Sequence, residues 1–166
     1  VVPLRNMGAA LSPMNAFLIL QGIETVTLRM DRICENTLKV AQFLKGHAKV
    51  SWVNYAGLPD HRDHALVQKY MGGRASGILN FGVKGSAGDA KAGGGRWQGA
   101  LELVVRLVNI GDCKSLACHP ASTTHRQLSP EEMAKAGVSE DMVRLSIGIE
   151  HIDDILADLD QALQAA

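Results

Sequence analysis

Aromatic residues are scarce in this sequence, making up 4% of its 166 residues. An excess of charge of either sign is also lacking, because seventeen Lys and Arg residues balance seventeen Asp and Glu residues. This combination argues against a nucleic-acid partner, which usually requires a basic face. No apolar run approaches the roughly 20 residues of a membrane-spanning helix, and no basic segment followed by an apolar core indicates a secretory signal. We therefore expect a soluble protein.

Cysteine is sparse as well, with only Cys34, Cys113 and Cys118 in the chain. An odd count without the spacing of a disulfide framework predicts free thiols and a reducing, cytoplasmic compartment. The chain is 46% hydrophobic and 20% charged, which is typical of a globular domain that buries its own core. It begins with Val1 rather than Met, which favours a fragment or a processed chain.

Residues 13–46 have a helical pattern. Ser12 suits an N-cap and Pro13 suits the first turn, where the missing N–H is not needed. Apolar residues recur at helical spacing from there to Leu44, and Gly46 favours a stop. One continuous helix would be roughly 50 Å long, at about 1.5 Å per residue, with Gly22 as the expected bend. Such a helix is too long for the core of one small domain, so we expect it to run along or between two domains.

Short strands and helices are mixed in the rest of the chain. The predicted elements are strands at 49–55 and 77–83, extended pieces at 108–110 and 115–119, and helices at 63–70 and 96–107. Residues 85–95 contain five glycines and little that could pack, so they are predicted to form a mobile loop. The order of elements predicts an α+β fold, with a small, mostly antiparallel sheet covered by helices.

The C-terminal third has the clearest local patterns. Ser129, Pro130 and Glu132 match a capping box with proline at the first helical position. Val143, Leu145 and Ile147 alternate with polar or flexible residues, which predicts a strand with one buried face. A final amphipathic helix is predicted from apolar residues at helical spacing, with two aspartates near its positive end.

Four possible metal ligands lie close together, namely Cys113, Cys118, His119 and His125. Their spacing does not match a common zinc motif and no CxxC is present. We therefore favour thiols and hydrogen-bonded histidines without a metal. The glycine-rich stretch before Arg96 lacks the GK[ST] ending of a phosphate-binding loop, so it does not predict a nucleotide site.

Arg144 is the most informative polar residue, because it lies in the predicted strand between Val143 and Leu145. An unpaired buried charge is very costly, so its guanidinium must reach water or meet a carboxylate. The planar fork suits a carboxylate bidentately. From spacing alone, a salt bridge within the protein is favoured over binding of a ligand.

Several segments resemble the Cys/Met metabolism family of pyridoxal-phosphate (PLP) enzymes, in the right order and across nearly the whole chain. The closest resemblance is to O-acetylhomoserine sulfhydrylases. The matching segments are residues 5–13 (RNMGAALSP), 109–116 (NIGDCKSL), 119–125 (HPASTTH) and 144–154 (RLSIGIEHIDD).

The resemblance implies the C-terminal small domain of a fold-type I, aspartate-aminotransferase-like PLP enzyme. Residues 1–46 would be a linker helix and residues 47–166 a domain that binds the substrate's carboxylate. No segment matches the motif of the Schiff-base lysine or the groups that hold the cofactor, which lie upstream of Val1 in the family. The resemblance therefore implies no catalytic, cofactor-binding or metal-binding residue in this chain, and no activity of this chain alone.

Three substrate-binding residues are implied. The arginine of the RLSIGIE motif binds the α-carboxylate of the amino acid, which corresponds to Arg144 and reverses the preference for an internal salt bridge. Asn109 occupies a position that helps to place the same carboxylate and is often serine in the lyase and synthase relatives. Ser115 is a weaker candidate for lining the same pocket.

The implied reaction is replacement of the acyl group of an O-acyl-homoserine by sulfide or a thiol, with PLP as the electron sink. Other members of the family are alternatives: a cystathionine γ-synthase, a methionine γ-lyase or a cystathionine lyase. A module without catalysis, used for dimerisation or metal binding, is an alternative from a different class. Family enzymes are usually tetramers, so we expect a homo-oligomer.

Overall fold

The computed structural model describes residues 2–84 and 90–166, without the side chains of residues 4, 90 and 91. It contains helices and five short strands, so the predicted α+β class is confirmed. A three-residue 3-10 helix, Pro120–Ser122, lies between the fourth strand and the sixth α-helix. The elements in chain order are α1 (Val2–Asn6), α2 (Pro13–Glu24), α3 (Val26–Gly46), β1 (Val50–Asn54), α4 (His64–Met71), β2 (Ile78–Val83), α5 (Ala90–Ala100), β3 (Val105–Arg106), β4 (Leu116–Cys118), α6 (Pro130–Lys135), β5 (Met142–Ser146) and α7 (Ile152–Gln164).

The predicted long helix is two helices, and the break is at Thr25 rather than at Gly22. Ser12 caps α2 as expected, since its side chain accepts a hydrogen bond from the backbone N–H of Asn15 at 3.2 Å. Thr25 leaves the helical region, with φ −108° and ψ 4°. The guanidinium of Arg29 donates to the carbonyl of Gly22 at 2.5 Å and to the hydroxyl of Thr25 at 3.4 Å. These bonds satisfy acceptors at the end of α2 and stabilise the break.

The five strands form one sheet in the order β1-β2-β5-β4-β3. Three of the four pairings are antiparallel, and only β3 pairs with β4 in parallel. The prediction of a mostly antiparallel sheet is therefore confirmed. Because β5 is central, its residues have neighbours on both sides: Arg144 pairs with Asn80 of β2 and with Cys118 of β4.

The main core lies between one face of the sheet and helices α3, α5 and α7. Val143 and Leu145 of β5 are completely buried there, as their alternation predicts. Phe81 of β2 packs edge-to-face on Trp97 of α5, with ring centroids 5.3 Å apart. The opposite sheet face carries only a small apolar cluster, formed by Trp52, Ala121, Met133, Val138 and Met142. The uneven covering leaves part of that second face open.

The glycine-rich region differs from its prediction. Of the predicted mobile loop, residues 85–89 lie outside the described residues, and residues 90–95 belong to helix α5. The helix predicted at 96–107 therefore starts earlier and ends at Ala100, while residues 105–106 form β3 and residues 108–110 are not a strand. The reason is tertiary: Gly94 lies directly against the buried ring of His119, where a Cβ would come within 2.6 Å of Nε2.

The local predictions near the C-terminus are confirmed. Ser129 and Glu132 form the reciprocal bonds of a capping box at the start of α6. Gly137 follows this helix with a φ of +72°, a conformation that favours glycine. Helix α7 buries Ile155, Leu159 and Leu163 against the core.

Candidate functional site

Arg144 lies in the middle of the central strand β5, on the sheet face opposite the main core. Its neighbours Val143 and Leu145 face that core and are completely buried, whereas Arg144 is half-buried. Strand alternation therefore directs its side chain to the partly open face. The cross-strand residues are Asn80 and Cys118, so an amide and a thiol side chain extend from the same face of the sheet as Arg144.

The guanidinium of Arg144 has no hydrogen-bond or ion-pair partner among residues 2–84 and 90–166. The salt bridge favoured from spacing alone is thus not found in the described part of the chain. Buried or half-buried arginines usually meet a carboxylate, because desolvation of an unpaired charge is costly. Arg144 consequently presents a cation, unpaired among the described residues, on the partly open face of the sheet.

Asn109 lies in the exposed segment from residue 107 to residue 114, here named the 107–114 loop, which follows β3 and leads to β4. The backbone N–H of Gly111 donates to the hydroxyl of Ser146 at 3.1 Å. This bond holds the loop against the end of β5, two residues beyond Arg144. The structure therefore brings the loop that carries Asn109 to the C-terminal end of the strand that carries Arg144. Among the described hydrogen bonds, none joins the side chains of Asn109 and Arg144.

Ser115 is completely buried at the end of this loop. Its backbone N–H and its hydroxyl both donate to the carboxylate of Glu150, at 2.6 and 3.0 Å. The hydroxyl also accepts from the N–H of Gly148 at 3.0 Å. Its hydrogen-bonding capacity is already used inside the protein, which favours a supporting role over direct contact with substrate.

Glu150 and Asp158 are two polar residues that the sequence reasoning missed. Glu150 lies within the RLSIGIE segment, so its position in the motif was the available signal. Asp158 lies on the apolar face of α7, three residues after Ile155 and one before Leu159. A carboxylate among buried apolar positions indicates an internal hydrogen-bonding role. Its oxygens accept bonds from the backbone N–H groups of residues 102, 103 and 104.

Three of the four candidate metal ligands make other side-chain interactions in the described part of the chain. The Nδ1 of His125 lies 2.8 Å from the hydroxyl of Thr124. The thiol of Cys118 lies 3.2 Å from the hydroxyl of Thr123. His119 uses both ring nitrogens, Nδ1 with the hydroxyl of Ser122 at 2.8 Å and Nε2 with the carbonyl of Glu140 at 2.9 Å. All three cysteines are free thiols, as predicted.

Arg144 does not line either of two large clefts on the described surface. One, of about 620 Å³, lies along the edge strand β1 and includes Trp52 and Asp60. The other, of about 550 Å³, lies between the sheet and α6 and includes Asn80 and Met142. The candidate site is therefore defined by the chemistry of Arg144 and not by the size of a cleft.

The lysines do not form a cofactor site by themselves. Those with described side chains are exposed, apart from the half-buried Lys49, whose ammonium donates to the carbonyl of Ala166 at 3.4 Å. A lysine that forms a Schiff base is normally desolvated in a pocket. The described part of the chain therefore does not fit PLP by itself. In the same range, no helix is long and apolar enough to cross a membrane.

Curated proteins similar to this chain are enzymes of sulfur amino-acid metabolism. O-acetyl-L-homoserine sulfhydrylase 1 of Thermus thermophilus is 51% identical over 160 residues, which are 96% of this chain and 37% of that protein. O-acetyl-L-homoserine sulfhydrylase of Leptospira meyeri is 51% identical over 97% of this chain and 36% of its own length. L-methionine gamma-lyase of Pseudomonas putida is 45% identical over 96% and 39%. The chain thus spans little more than a third of these relatives.

Solved structures of enzymes with related names are also similar to this chain. An O-acetylhomoserine (thiol)-lyase from Campylobacter jejuni, which carries N'-pyridoxyl-lysine-5'-monophosphate, matches with a TM-score of 0.86 at 45% identity. The match covers 97% of this chain and 37% of that one. A cystathionine gamma lyase from Micromonospora echinospora matches with a TM-score of 0.86 at 30% identity, over 99% and 42%.

The family model for Cys/Met metabolism PLP-dependent enzymes matches residues 2–164, which is nearly the whole chain. The motifs around Asn109 and Arg144 and the fold lead to the same result. The chain belongs to the Cys/Met metabolism PLP-dependent enzyme family.

Proposed function

We propose that this chain is the C-terminal part of an O-acetylhomoserine sulfhydrylase, which replaces the acyl group of O-acetylhomoserine by sulfide or a thiol. Two relatives at 51% identity carry that name, which supports this member of the family. In this proposal residues 1–46 link to a PLP-binding domain that precedes them, and residues 47–166 bind the substrate's carboxylate. PLP supplies the electron sink for the chemistry when bound.

Arg144 is the residue that binds the α-carboxylate of the amino acid. The observation that carries this role is a half-buried guanidinium in the central strand without a carboxylate partner in the described residues. A bidentate pair between guanidinium and carboxylate is among the stronger hydrogen-bonded contacts in proteins. It also fixes the orientation of the amino acid, so that the reacting carbons stay aligned.

Asn109 and Ser115 act in support of Arg144. Asn109 is exposed in the 107–114 loop, which contacts β5 at Ser146, so its amide is available to a ligand. Ser115 remains a predicted member of the site, and its buried hydrogen bonds favour an indirect contribution. The protein is further proposed to be a cytoplasmic homo-oligomer, in line with the family.

The test is replacement of Arg144 by alanine in the complete enzyme. Loss of the charged fork is expected to lower kcat/KM for O-acetylhomoserine by roughly 10²-fold or more, while the melting temperature changes little. Arg62→Ala is the matched control, because the Arg62 side chain is 89% exposed and pairs only with its neighbour Asp63. Wild-type efficiency together with lost thermal stability in Arg144→Ala would instead show that Arg144 stabilises the fold and does not bind substrate.

A methionine γ-lyase is the second candidate, supported by the relative from Pseudomonas putida. Both enzymes would use Arg144 in the same way, so the variant does not separate them. The purified complete protein should form homocysteine from O-acetylhomoserine and sulfide much faster than it releases methanethiol from methionine. The reverse preference would assign the lyase.

A further inference from the structure

Asn109 lies on a loop that hydrogen bonds hold near both ends and at Gly111, whose N–H donates to the hydroxyl of Ser146. The 107–114 loop is exposed along most of its length and contains no helix or strand. A long, exposed segment of this kind is held in place by the bonds of its flanking residues. Carboxylates from the segment that follows Arg144 in the chain bind the backbone just before β3 and at Ser115, directly after the loop.

At the C-terminal end of the loop, Glu150 binds Ser115 through both carboxylate oxygens. The N–H of Ser115 donates to Oε1 at 2.6 Å and its hydroxyl donates to Oε2 at 3.0 Å. The backbone carbonyl of Cys113 accepts from the N–H of Ile149 at 2.9 Å. Charge-assisted bonds of this kind are stronger than neutral ones, and here they are largely shielded from water.

Glu150 is itself fixed to the domain by α3. The side-chain amide of the buried Asn36 donates to the carbonyls of Gly148 and Glu150, at 3.1 and 3.0 Å. Gly148 has no room for a Cβ, because the carbonyl of Cys113 and the carboxylate of Glu150 lie against it. The backbone that carries Glu150 is thus held in place from two sides.

At the N-terminal end, Asp158 of α7 accepts bonds from the backbone N–H groups of residues 102–104, at 2.8 to 3.0 Å. This bonding fixes the chain as it enters β3. The loop between β3 and Ser115 therefore starts and ends at points tied to the segment from β5 to α7. Arg144 lies in the same segment, six residues before Glu150.

We propose that Glu150 is a positioning residue, which through Ser115 holds Asn109 at a fixed place relative to Arg144. The proposal rests on the proposed function, because it assigns Asn109 and Arg144 to one carboxylate. Glu150 does not touch the substrate. The carboxylate of the substrate would bind Arg144 and Asn109 at the same time, which requires a fixed distance between the two side chains. A shift of the loop therefore weakens substrate binding before it affects the chemical step.

The experiment compares Glu150→Ala, Glu150→Gln and the control Glu131→Ala in the complete enzyme. Glu131 is exposed on α6 and makes no hydrogen bond through its side chain among the described contacts. Glu150→Ala is expected to raise KM for O-acetylhomoserine roughly 10-fold or more with kcat changed less than about twofold. Glu150→Gln keeps an oxygen for the N–H of Ser115 and is expected to restore most of the wild-type KM.

Hydrogen exchange gives a second readout that does not depend on activity. Amides of the 107–114 loop should exchange faster in Glu150→Ala, while those of β5 keep their protection. Ser115→Ala, which removes only the hydroxyl, should show a smaller rise in KM. If Glu150→Ala does not fold, the KM of Ser115→Ala still tests the proposal.

Arg144→Ala in the same assay separates the two proposals. If it raises KM while Glu150→Ala behaves like Glu131→Ala, positioning by Glu150 is wrong and the proposed function stands. An unchanged KM in Arg144→Ala would overturn the proposed function itself. A fall in kcat and melting temperature at constant KM in Glu150→Ala and Ser115→Ala would show that Glu150 only stabilises the fold.

Discussion

Asp158 is the buried carboxylate with the largest number of hydrogen bonds to the backbone. It is 5% exposed, and its oxygens accept from three successive N–H groups and from the side chain of Gln161 at 2.9 Å. Burial acts to raise its pKa, but the hydrogen bonds outweigh burial and hold the pKa below its usual value. The ionised form is therefore the one that the folded state stabilises.

Replacement of Asp158 by alanine should lower the free energy of unfolding at pH 7 by about 2–4 kcal/mol, because three N–H groups lose a charged acceptor. The contribution is complete above the ordinary pKa of 3.8. It is lost as the pH falls through the lower pKa of the folded state. Urea titrations at pH 7 and pH 3 should thus show a smaller difference between wild type and variant at pH 3.

Asp154→Ala is the control for this experiment, since Asp154 is exposed on the same helix. Asp154→Ala should change the free energy of unfolding by no more than about 0.5 kcal/mol at both pH values. A difference between Asp158→Ala and wild type that does not change between pH 7 and pH 3 would contradict the assignment of a lowered pKa.

Among the elements, α5 is unusual because three consecutive glycines lie within a helix. Glycine weakens helices, so this segment owes its shape to what it packs against. Gly94 allows the helix to approach the ring of His119, whose two nitrogens are bonded and whose side chain is completely buried. Trp97, one turn further, is completely buried against Phe81. Close packing on one face thus compensates for the low helix propensity.

Two neighbouring glycines of α5 should respond in opposite ways to alanine. Gly94→Ala places a methyl group against the bonded ring of His119 and should destabilise the fold by about 1–3 kcal/mol. Gly95 has open space at its Cβ position, so Gly95→Ala should stabilise the helix by about 0.5–1 kcal/mol. Thermal unfolding of both variants measures these two changes in stability. Equal effects would show that α5 does not pack as described.

At the scale of the whole molecule, the most conspicuous surface feature is the exposed apolar side chains of α2. Met14, Phe17, Leu18 and Ile23 are each more than half exposed, and no residue of α2 is buried. Monomeric proteins rarely expose contiguous apolar patches larger than a few hundred Å². A helix with this surface is expected to be covered by another chain or by further protein.

The chain as given should self-associate through residues 1 to about 30. Light scattering is expected to show a mass above that of the monomer, and Phe17→Asp should shift it toward the monomer because a charge cannot be buried in that contact. Leu66→Asp is the matched control, since Leu66 on α4 is 52% exposed and Phe17 is 56% exposed. A monomer with an ordered, solvent-exposed α2 would contradict this expectation.

Local patterns in the sequence determined much of this protein. The capping box at Ser129, the apolar face of α7 and the alternation in β5 depend on neighbours within a few residues, and each was predicted correctly. The alternation also predicted that Arg144 points away from the core. The motifs led to the family and to the carboxylate-binding role of Arg144, which remains a proposal.

Tertiary structure alone decided the rest. The helix at Gly94 depends on a ring 25 residues away in the sequence. The bonds of Glu150 to Ser115 and of Asp158 to residues 102–104 join segments 35 and more than 50 residues apart. No local pattern encodes such pairs, because each depends on where the sheet and helices place distant backbone groups.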